Sequence, residues 1–320
     1  MLRAILIYLS KAPWARRVVT RWKIARRVAS RFIAGEHIED AVRAIRALNA
    51  KGIYATLVQL GEHTDNREKA LRATQDILNS IQMLVESGVL SNISLKLTQI
   101  GMAVDDSLCE DNLIAILTFA KEQDVFVRID IEDSKWVDKT LGLCHRMRSE
   151  YGFENVGVAI QAYLYRSEKD IRVLTEDCTR VRLCKGAYKE PPDIAFPKKK
   201  DVDANFDRLT DILLDCAVKA CAPVASSDGR TPAIPAIASH DEQRIEHAQV
   251  YAQKIGLPKQ ALEFQMLNGI RRDLQEKLAT KGYPVRIYVP FGTEWYPYFM
   301  RRLAERPANL WFFVSNFFRK

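Results

Sequence analysis

Polar and charged side chains stand at the ends of apolar segments that otherwise have the character of buried strands. They are Lys96, Asp130, Gln161 with Tyr163, Lys185, His240 and Tyr288. Burying such groups is unfavourable unless they are paired, and any one of them alone is more often a strand cap or a structural ion pair than a functional residue. Their occurrence at six equivalent strand ends favours a shared functional site.

The segment Arg182-Leu-Cys-Lys185-Gly186-Ala187-Tyr188 ends one of these apolar runs with two cations, a glycine and an aromatic ring. Glycine allows the backbone to approach a ligand closely, and cations form charge-assisted hydrogen bonds with anionic groups. The combination suits an anionic, planar ligand.

The segment from Tyr288 to Glu305 contains an arginine pair. On a helix, Arg301 and Glu305 lie one turn apart, and so do Tyr298 and either Arg301 or Arg302. Two adjacent guanidinium groups with a carboxylate behind them can bind a substrate carboxylate in a bidentate manner. An Arg-Arg pair by itself is usually a solvated helix face, and its two neighbours modestly favour the binding interpretation.

Eight short apolar, β-branched runs recur beyond residue 50, and each except the last precedes a stretch able to form a helix, such as Arg67–Ser87 or Glu242–Ile255. The runs are Tyr54–Leu60, Ile93–Leu97, Val125–Ile131, Val156–Gln161, Arg180–Cys184, Ala233–Ala238, Leu262–Leu267 and Val285–Val289. Strands alternating with helices predict a parallel sheet, and eight units fit a closed (β/α)8 barrel better than an open doubly wound sheet. In such a barrel the site forms at the carboxyl ends of the strands. A further helix is predicted over Trp295–Glu305.

The positive charge is concentrated at the N-terminus. Residues 1–35 hold nine basic residues and no acidic one, whereas the other residues hold 39 basic against 40 acidic ones, within a total net charge of +8. A near-neutral body gives no support for nucleic-acid binding. We therefore predict a basic helical arm over residues 1–35 and a catalytic barrel over residues 36–320.

Residues 14–32 predict an amphipathic helix with aromatic and aliphatic residues on one face and most arginines on the other. Such a helix could lie on an anionic membrane surface, or it could pack on its own domain or on a second subunit. The pattern alone does not separate these alternatives. An arginine-rich, acid-free arm is also similar to a mitochondrial transit peptide.

Several common classes of site find no support in the sequence. The six cysteines form no Cys-x-x-Cys pair, the five histidines no His-Glu-x-x-His pair, and no metal site is expected. No Rossmann glycine motif or Walker loop is present. The apolar run from Ala4 to Leu9 is too short for a signal core or a membrane span. Scattered single thiols favour a reducing compartment, so a cytoplasmic location is expected.

Taken together, these segments resemble the proline dehydrogenase family, the flavin enzymes of proline catabolism, in its short single-activity bacterial form. The resemblance runs in order from about residue 50 to residue 310. The matching stretches are Ser94-Leu-Lys96-Leu, Arg128-Ile-Asp130-Ile-Glu-Asp, Gln161-Ala-Tyr163, the Arg182–Tyr188 motif, Ser239-His240 and the Tyr288–Glu305 motif. The family fold is a distorted (β/α)8 TIM-like barrel, which agrees with the strand count.

The resemblance implies roles for individual residues. FAD would be held by Gln161, Arg182, Lys185, Gly186, Ala187, Ser239, His240 and the backbone near Ile131. The substrate pocket would be lined by Lys96, Asp130, Tyr188, Tyr288, Tyr298, Arg301, Arg302 and Glu305. Of these, Asp130 and Tyr188 are assigned to catalysis, and Asp130 is expected to pair with an arginine and to organise the site rather than to accept a proton.

The resemblance also implies a reaction and its partners. L-proline would be oxidised to 1-pyrroline-5-carboxylate, the first step of proline catabolism to glutamate, with electrons passed to a membrane quinone or another acceptor. Because 320 residues leave no room for the aldehyde dehydrogenase domain of the bifunctional members, a separate pyrroline-5-carboxylate dehydrogenase is expected. We also expect peripheral contact with the inner face of the membrane and no contact with nucleic acid.

Two other classes of function remain as alternatives. A Schiff-base aldolase would use Lys96 or Lys185, both at strand ends, but would leave the arginine pair and the Arg182 motif unexplained. A non-enzymatic protein binding membranes or nucleic acid would depend on the basic arm alone.

Overall fold

A closed barrel of eight parallel strands forms the body of the protein. The computed structural model describes residues 27–61, 63–220 and 223–305, together with Leu9, Ala12, Trp14, Ala15 and Val19. Neighbouring strands follow the order of the sequence, and the first strand pairs with the eighth. The predicted (β/α)8 fold is therefore confirmed.

The strands are β1 (Tyr54–Gln59), β2 (Ser91–Leu95), β3 (Val127–Ile129), β4 (Val156–Gln161), β5 (Arg180–Cys184), β6 (Pro235–Ala238), β7 (Glu263–Leu267) and β8 (Val285–Phe291). The helices are α1 (Ile38–Asn49), α2 (Arg67–Ser87), α3 (Asp106–Glu122), α4 (Ser134–Ser149), α5 (Ser167–Glu176), α6 (Lys199–Lys219), α7 (Glu242–Lys254), α8 (Arg272–Thr280) and α9 (Trp295–Glu305). A 3-10 turn, Lys259–Ala261, precedes β7.

Local sequence signals set several helix ends. The Asn66 side chain caps α2 by accepting a hydrogen bond from the Lys69 amide at 2.9 Å, and α2 ends at Gly88, whose φ of 64° lies in the left-handed region that glycine favours. Asp105 caps α3 in the same manner through the Leu108 amide at 2.7 Å. The apolar faces of these helices pack on the strands and form the main core between barrel and helices.

Buried charged side chains occupy the barrel interior at the amino ends of the strands. Arg286 Nε and Nη2 donate to the two carboxylate oxygens of Glu263 at 2.8 and 3.1 Å, and both side chains are fully buried. Arg128 lies in the same region, where its Nη1 donates to the backbone carbonyl of Arg180. A Cβ at Gly157 would lie 2.9 Å from Arg128 Nη1 and 2.2 Å from the Arg180 carbonyl oxygen. Glycine at position 157 therefore makes room for the arginine.

The end of the N-terminal arm and α9 pack together at the carboxyl-end face of the barrel. Val28, Phe32 and Ile33 are buried, and the ring of Phe32 lies 6.4 Å from that of Phe299 on α9. The amide of Ala34 donates to the carbonyl of β8 residue Pro290 at 2.9 Å. The described end of the arm is therefore held by the last strand and the last helix.

The helix predicted over residues 14–32 differs in its details. Helical backbone is seen at residues 14, 15, 19 and 27–29, and residues 30–32 form a turn. Trp14, predicted on the apolar face, is 56% exposed, whereas Val28 and Phe32 are buried. The arm's other apolar positions, and the aromatic tail from Trp311 to Phe318, lie outside the described residues. Among the described helices, none combines the length and apolar character needed to cross a membrane.

Candidate active site

The carboxylate of Asp130 is the centre of a buried hydrogen-bond network just beyond β3. Its Oδ1 accepts from Arg182 Nη1 at 2.6 Å and from Ser94 Oγ at 2.7 Å. Its Oδ2 accepts from the Tyr288 hydroxyl at 2.7 Å, and Lys96 Nζ lies 3.8 Å from the same oxygen. Side chains from β2, β5 and β8 therefore converge on one carboxylate at the carboxyl ends of the strands.

The surroundings of Asp130 keep it ionised. Burial raises the pKa of the Asp130 carboxyl, but the Arg182 and Lys96 cations and the hydrogen bonds from Ser94 and Tyr288 lower it by more, so the pKa lies below its usual value. Both oxygens already accept hydrogen bonds. Such a carboxylate is suited to hold its neighbours in place.

Arg182 joins this network to the charges deeper in the barrel. Its Nε donates to Gln265 Oε1 at 2.5 Å, and Gln265 Nε2 donates to Glu263 Oε1 at 2.6 Å. The guanidinium carbon of Arg182 also lies 5.5 Å from the centre of the Tyr288 ring. Because Arg182 is held on two sides, its position is fixed before any ligand binds.

Tyr288 is a neutral phenol in this setting. Burial raises the pKa of its hydroxyl, and the adjacent Asp130 carboxylate raises it further, so the pKa lies well above the ordinary value. The hydroxyl is thus a permanent donor to Asp130, which fixes the orientation of the ring.

Three tyrosines lie in the neighbourhood of Arg301 on α9. The side chains of Tyr188, Tyr288 and Tyr298 all lie near enough to the Arg301 guanidinium to raise its pKa. Burial, followed by repulsion from Arg302, lowers the same pKa by more. A partly desolvated cation beside a second cation is a favourable place for an anion such as a carboxylate.

The neighbouring Arg302 is buried, and its guanidinium carbon lies 5.0 Å from the centre of the Tyr298 ring. This ring packs along the arginine and restricts its orientation. The structure therefore places Arg301, Arg302 and Tyr298 together, as the helical spacing predicted. The side chain of Glu305, predicted to back the pair, lies outside the described residues.

Tyr188 reaches the site from the loop after β5. Burial raises the pKa of its hydroxyl, the nearby Glu132 carboxylate raises it further, and Arg301 opposes them. The phenol is therefore protonated at neutral pH. Tyr188 is therefore close enough to α9 for the Arg301 charge to act on its hydroxyl.

The same loop packs closely on Tyr163. Gly186 has a φ of 122°, and a Cβ at this position would lie 2.3 Å from the Tyr163 ring. The Tyr163 amide donates to the Lys185 carbonyl at 2.9 Å. Residue 186 must therefore be glycine for the loop backbone to follow this path. Gly186 and Ala187 are exposed at the barrel rim.

Lys185 is held between two carboxylates at the outer side of the barrel mouth. Its Nζ donates to Asp241 Oδ2 at 2.7 Å and to Asp203 Oδ1. Asp203 is on α6, and Asp241 caps α7 by accepting from the Gln243 amide at 3.2 Å. The sequence did not single out either aspartate, although Asp203 is the fifth residue of α6 and Asp241 is the N-cap residue of α7, both helices that follow a strand.

The remaining predicted cofactor residues line the ends of β3, β4 and β6. Gln161 Nε2 donates to the carbonyl of Ile131 at 3.3 Å. Ser239 Oγ accepts from the Asp241 amide at 3.1 Å, and His240 Nε2 accepts from the Leu267 amide at 2.9 Å. Because Nε2 accepts, the proton of the neutral ring is on Nδ1.

Two network residues, Ser94 and Gln265, were not among the predicted site residues. Both sit one inward-facing position deeper in their strands than the residues at the strand ends. The signal for Gln265 was the alternation Glu263-Phe264-Gln265 inside a strand with both faces covered, since buried polar groups must find partners. Within the described residues, no cluster of metal-ligating side chains is present.

Comparison with known proteins gives a consistent family. The family model described as proline dehydrogenase matches residues 41–314. The chain is 38% identical over 323 residues to Proline dehydrogenase 1 of Bacillus subtilis (strain 168), covering all of both chains. It is 39% identical over 292 residues to Proline dehydrogenase of Deinococcus radiodurans, covering 90% of this chain and 89% of that one.

A solved structure supports the fold. The structure of proline utilization A from Bdellovibrio bacteriovorus superposes with a TM-score of 0.79 at 26% sequence identity, covering 88% of this chain and 33% of that chain. The likeness therefore extends to one part of a much longer protein.

Proposed function

The chain belongs to the proline dehydrogenase family, and we propose that it oxidises L-proline to 1-pyrroline-5-carboxylate with FAD as its cofactor, the first step of proline catabolism to glutamate. The observation that carries the proposal is the arrangement at the barrel mouth. Arg301 and Arg302 lie beside three tyrosines, adjacent to the buried Asp130–Arg182 network.

The residues at the strand ends fit a flavin. The buried Gln161 Oε1 and Tyr163 hydroxyl have no hydrogen-bond partner among the described residues, as expected for groups that face a polar ligand. Gly186 lets the loop backbone come close, and Arg182 supplies a fixed positive charge. These features agree with a large, flat, hydrogen-bonding and anionic cofactor.

We infer that FAD is held by the side chains of Gln161, Arg182, Lys185, Ser239 and His240 and by the backbone of Ile131, Gly186 and Ala187. When bound, FAD supplies the acceptor for the hydride that leaves C5 of proline. The protein itself supplies binding, orientation and charge.

In this proposal Arg301 and Arg302 bind the proline carboxylate. Two guanidinium groups can bind a carboxylate in a bidentate manner, and burial strengthens that interaction. Tyr188, Tyr288 and Tyr298 then pack around the apolar ring and keep water from it. Asp130, with Lys96 close by, fixes Tyr288 and Arg182, so that the ring is held in one orientation.

We further propose that electrons pass to a membrane quinone, with the arm making peripheral contact with the inner face of the membrane. The basic charge of residues 1–35 and the 56% exposure of Trp14 support this contact. The buried Val28 and Phe32 do not contribute, because α9 covers them. Sedimentation with anionic and with neutral vesicles tests the contact, and equal partitioning of the wild type and Trp14→Ala would contradict a role for this residue.

The product, 1-pyrroline-5-carboxylate, opens by hydrolysis to an amino aldehyde. A separate pyrroline-5-carboxylate dehydrogenase is the expected next enzyme.

A Schiff-base aldolase is disfavoured by the surroundings of its candidate lysines. Lys185 contacts two carboxylates and Lys96 lies near a third, whereas a Schiff-base lysine is activated by apolar or cationic surroundings.

The test is a visible spectrum of the purified protein before and after anaerobic addition of L-proline, with chemical trapping of the product. We expect a flavin spectrum that is bleached by proline in the wild type and not in Arg301→Ala at the same proline concentration. A protein without flavin, a flavin that proline does not bleach, or an obligatory nicotinamide acceptor would contradict the proposal.

A further inference from the structure

Two cysteines from different elements meet at the amino-end face of the barrel, opposite the candidate active site. Cys178 lies between α5 and β5, and Cys216 lies near the end of α6. The Cys178 amide donates to the Thr175 carbonyl at 3.4 Å, and Cys216 Sγ lies 3.6 Å from the same oxygen. The two thiols are near enough for Cys178 to raise the pKa of Cys216. Both cysteines therefore converge on one carbonyl group.

The two thiols differ in their access to solvent. Cys178 is exposed and has a φ of 54°, a left-handed conformation that is uncommon outside glycine. Cys216 is 8% exposed, and burial, together with the Cys178 thiol, raises its pKa to about 11. An exposed thiol beside a buried one is the arrangement in which the first is oxidised and the second resolves it.

The other cysteines that the structure describes lack this arrangement. Burial raises the pKa of Cys109, Cys144 and Cys184 to about 12 in each case. The sulfurs of Cys109 and Cys184 contact only backbone carbonyls in the hydrogen bonds seen, those of Leu97 and Ile160. Reactivity of a thiol follows its exposure and its thiolate fraction, so these three should react slowly.

We propose that Cys178 and Cys216 form a redox-modifiable pair that a peroxide converts into an intramolecular disulfide. The Cys178 thiolate attacks one oxygen of hydrogen peroxide, the O–O bond breaks, and the leaving hydroxide takes a proton to become water. The Cys216 sulfur then attacks the Cys178 sulfenic acid, the S–O bond breaks, and a second water leaves. Two thiols are oxidised and one peroxide is reduced, and a small-molecule dithiol reverses the change.

The disulfide would close a covalent loop around the segment that carries the β5 part of the site. That segment contains Arg182 and the Lys185–Tyr188 loop, and it continues into α6, where Asp203 contacts Lys185. Closing such a loop restricts the unfolded chain more than the folded one, so oxidation should raise the melting temperature, by roughly 5 °C. The pair would serve as a stabilising cross-link that forms under oxidising conditions. This inference does not depend on the proposed reaction.

The test uses the full chain with any bound cofactor. Reduced protein is treated with hydrogen peroxide in small excess, free thiols are alkylated, and the digest is analysed by mass spectrometry. We expect a peptide pair joined through Cys178 and Cys216, which disappears on treatment with dithiothreitol. In Cys216→Ser, the Cys178 sulfenic acid should persist and be trapped by dimedone in greater amount than in the wild type. Cys109→Ser, at a buried thiol on α3, is the matched control.

Two results would overturn the proposal. One is the absence of the Cys178–Cys216 peptide pair while Cys178 remains fully alkylated after peroxide. The other is a disulfide from Cys178 to any other cysteine in place of Cys216. If Cys216→Ser folds poorly, Cys216→Ala replaces it. The melting temperature of the wild type before and after peroxide is a second measurement. An unchanged melting temperature together with no cross-link also contradicts the proposal.

Discussion

Glu190, in the loop after β5, caps the start of α4 by accepting two hydrogen bonds from Ser134. Its Oε1 accepts from the Ser134 amide and its Oε2 from the Ser134 hydroxyl, both at 2.7 Å. The helix's own N-cap residue, Asp133, makes no side-chain capping bond. A carboxylate at a helix N-terminus is also favoured by the helix dipole. The Glu190 side chain thus attaches the loop that carries Gly186 and Tyr188 to α4.

We expect Glu190→Ala to weaken binding of the proposed flavin, because the loop would lose its attachment to α4. Loss of the cap should also reduce the free energy of unfolding by about 1 kcal/mol. Flavin release during dialysis and chemical denaturation measure the two effects. The control is Asp193→Asn, an exposed position in the same loop. Equal flavin retention in the two variants would show that the attachment does not hold the cofactor loop.

Arg301→Ala and Arg302→Ala should each reduce kcat/KM for proline by well over tenfold, because truncating a buried, charge-paired anchor costs about 2–5 kcal/mol. Arg302→Lys should also be impaired, since an ammonium group cannot replace the planar fork and its packing on Tyr298. Steady-state kinetics measure these effects, with Arg272→Ala on the exposed side of α8 as the control. Unchanged kinetics in Arg302→Lys would disprove the carboxylate clamp.

Tyr288 should limit the space available at C4 of the substrate ring, and we expect the wild type to prefer proline to trans-4-hydroxy-L-proline. Tyr288→Ser should lose proline activity because the ring loses its packing. The difference in kcat/KM between the two substrates should become smaller in this variant. Tyr288→Phe keeps the ring but removes the 2.7 Å hydrogen bond to Asp130, so it should retain the preference. The measurement is the ratio of kcat/KM for proline to kcat/KM for trans-4-hydroxy-L-proline. If this ratio is the same in Tyr288→Ser as in the wild type, Tyr288 does not lie against C4 of the substrate.

Acid sensitivity should depend on Asp130. Because its pKa is lower in the folded protein than in the unfolded chain, its ionisation stabilises the fold above the ordinary carboxyl pKa, and this stabilisation is lost as the pH falls through the folded-state pKa. Asp130→Asn should therefore be less stable than the wild type at pH 7 and should show a shallower loss of stability below about pH 4. Urea denaturation at a series of pH values checks this. If the free energy of unfolding depends on pH in the same way in both proteins, another carboxylate is responsible for the acid sensitivity.

Phe32 should matter for both stability and substrate binding. It is 1% exposed and packs on Phe299, which lies on α9 between Tyr298 and Arg301. Phe32→Ala should lower the free energy of unfolding by about 3 kcal/mol through the cavity it leaves. The loosened α9 should also raise the KM for proline more than it lowers kcat. A stability loss with an unchanged KM would confine Phe32 to a structural role.

The sequence predicted the barrel well because its strands are apolar and separated by helical stretches. Val156–Gln161, Arg180–Cys184, Arg67–Ser87 and Trp295–Glu305 have the predicted bounds. The predicted run Val125–Ile131 contains a strand of only Val127–Ile129, because its register with the neighbouring strands covers three residues. Apolar character predicts burial, and it does not by itself show where a ladder of hydrogen bonds stops.

The site was predictable where polar residues end a strand and was not predictable where partners lie deeper or on other elements. Nothing near Lys185 in the sequence indicates that Asp203 and Asp241 would contact it, because these contacts depend on how helices pack. The amphipathic arm posed the same problem, since its periodicity predicts an apolar face without identifying the surface that covers it. The structure places α9 against its described end.

The contact between the arm and α9 has a consequence for synthesis of the protein. The residues near Phe32 leave the ribosome early, but their partner helix follows the eighth strand and is made after the whole barrel. Until then Val28, Phe32 and Ile33 lack the part of their cover that α9 provides. The nascent chain should therefore be prone to aggregate and to need chaperone protection late in translation. A chain that stops before α9 would carry the same uncovered apolar surface permanently.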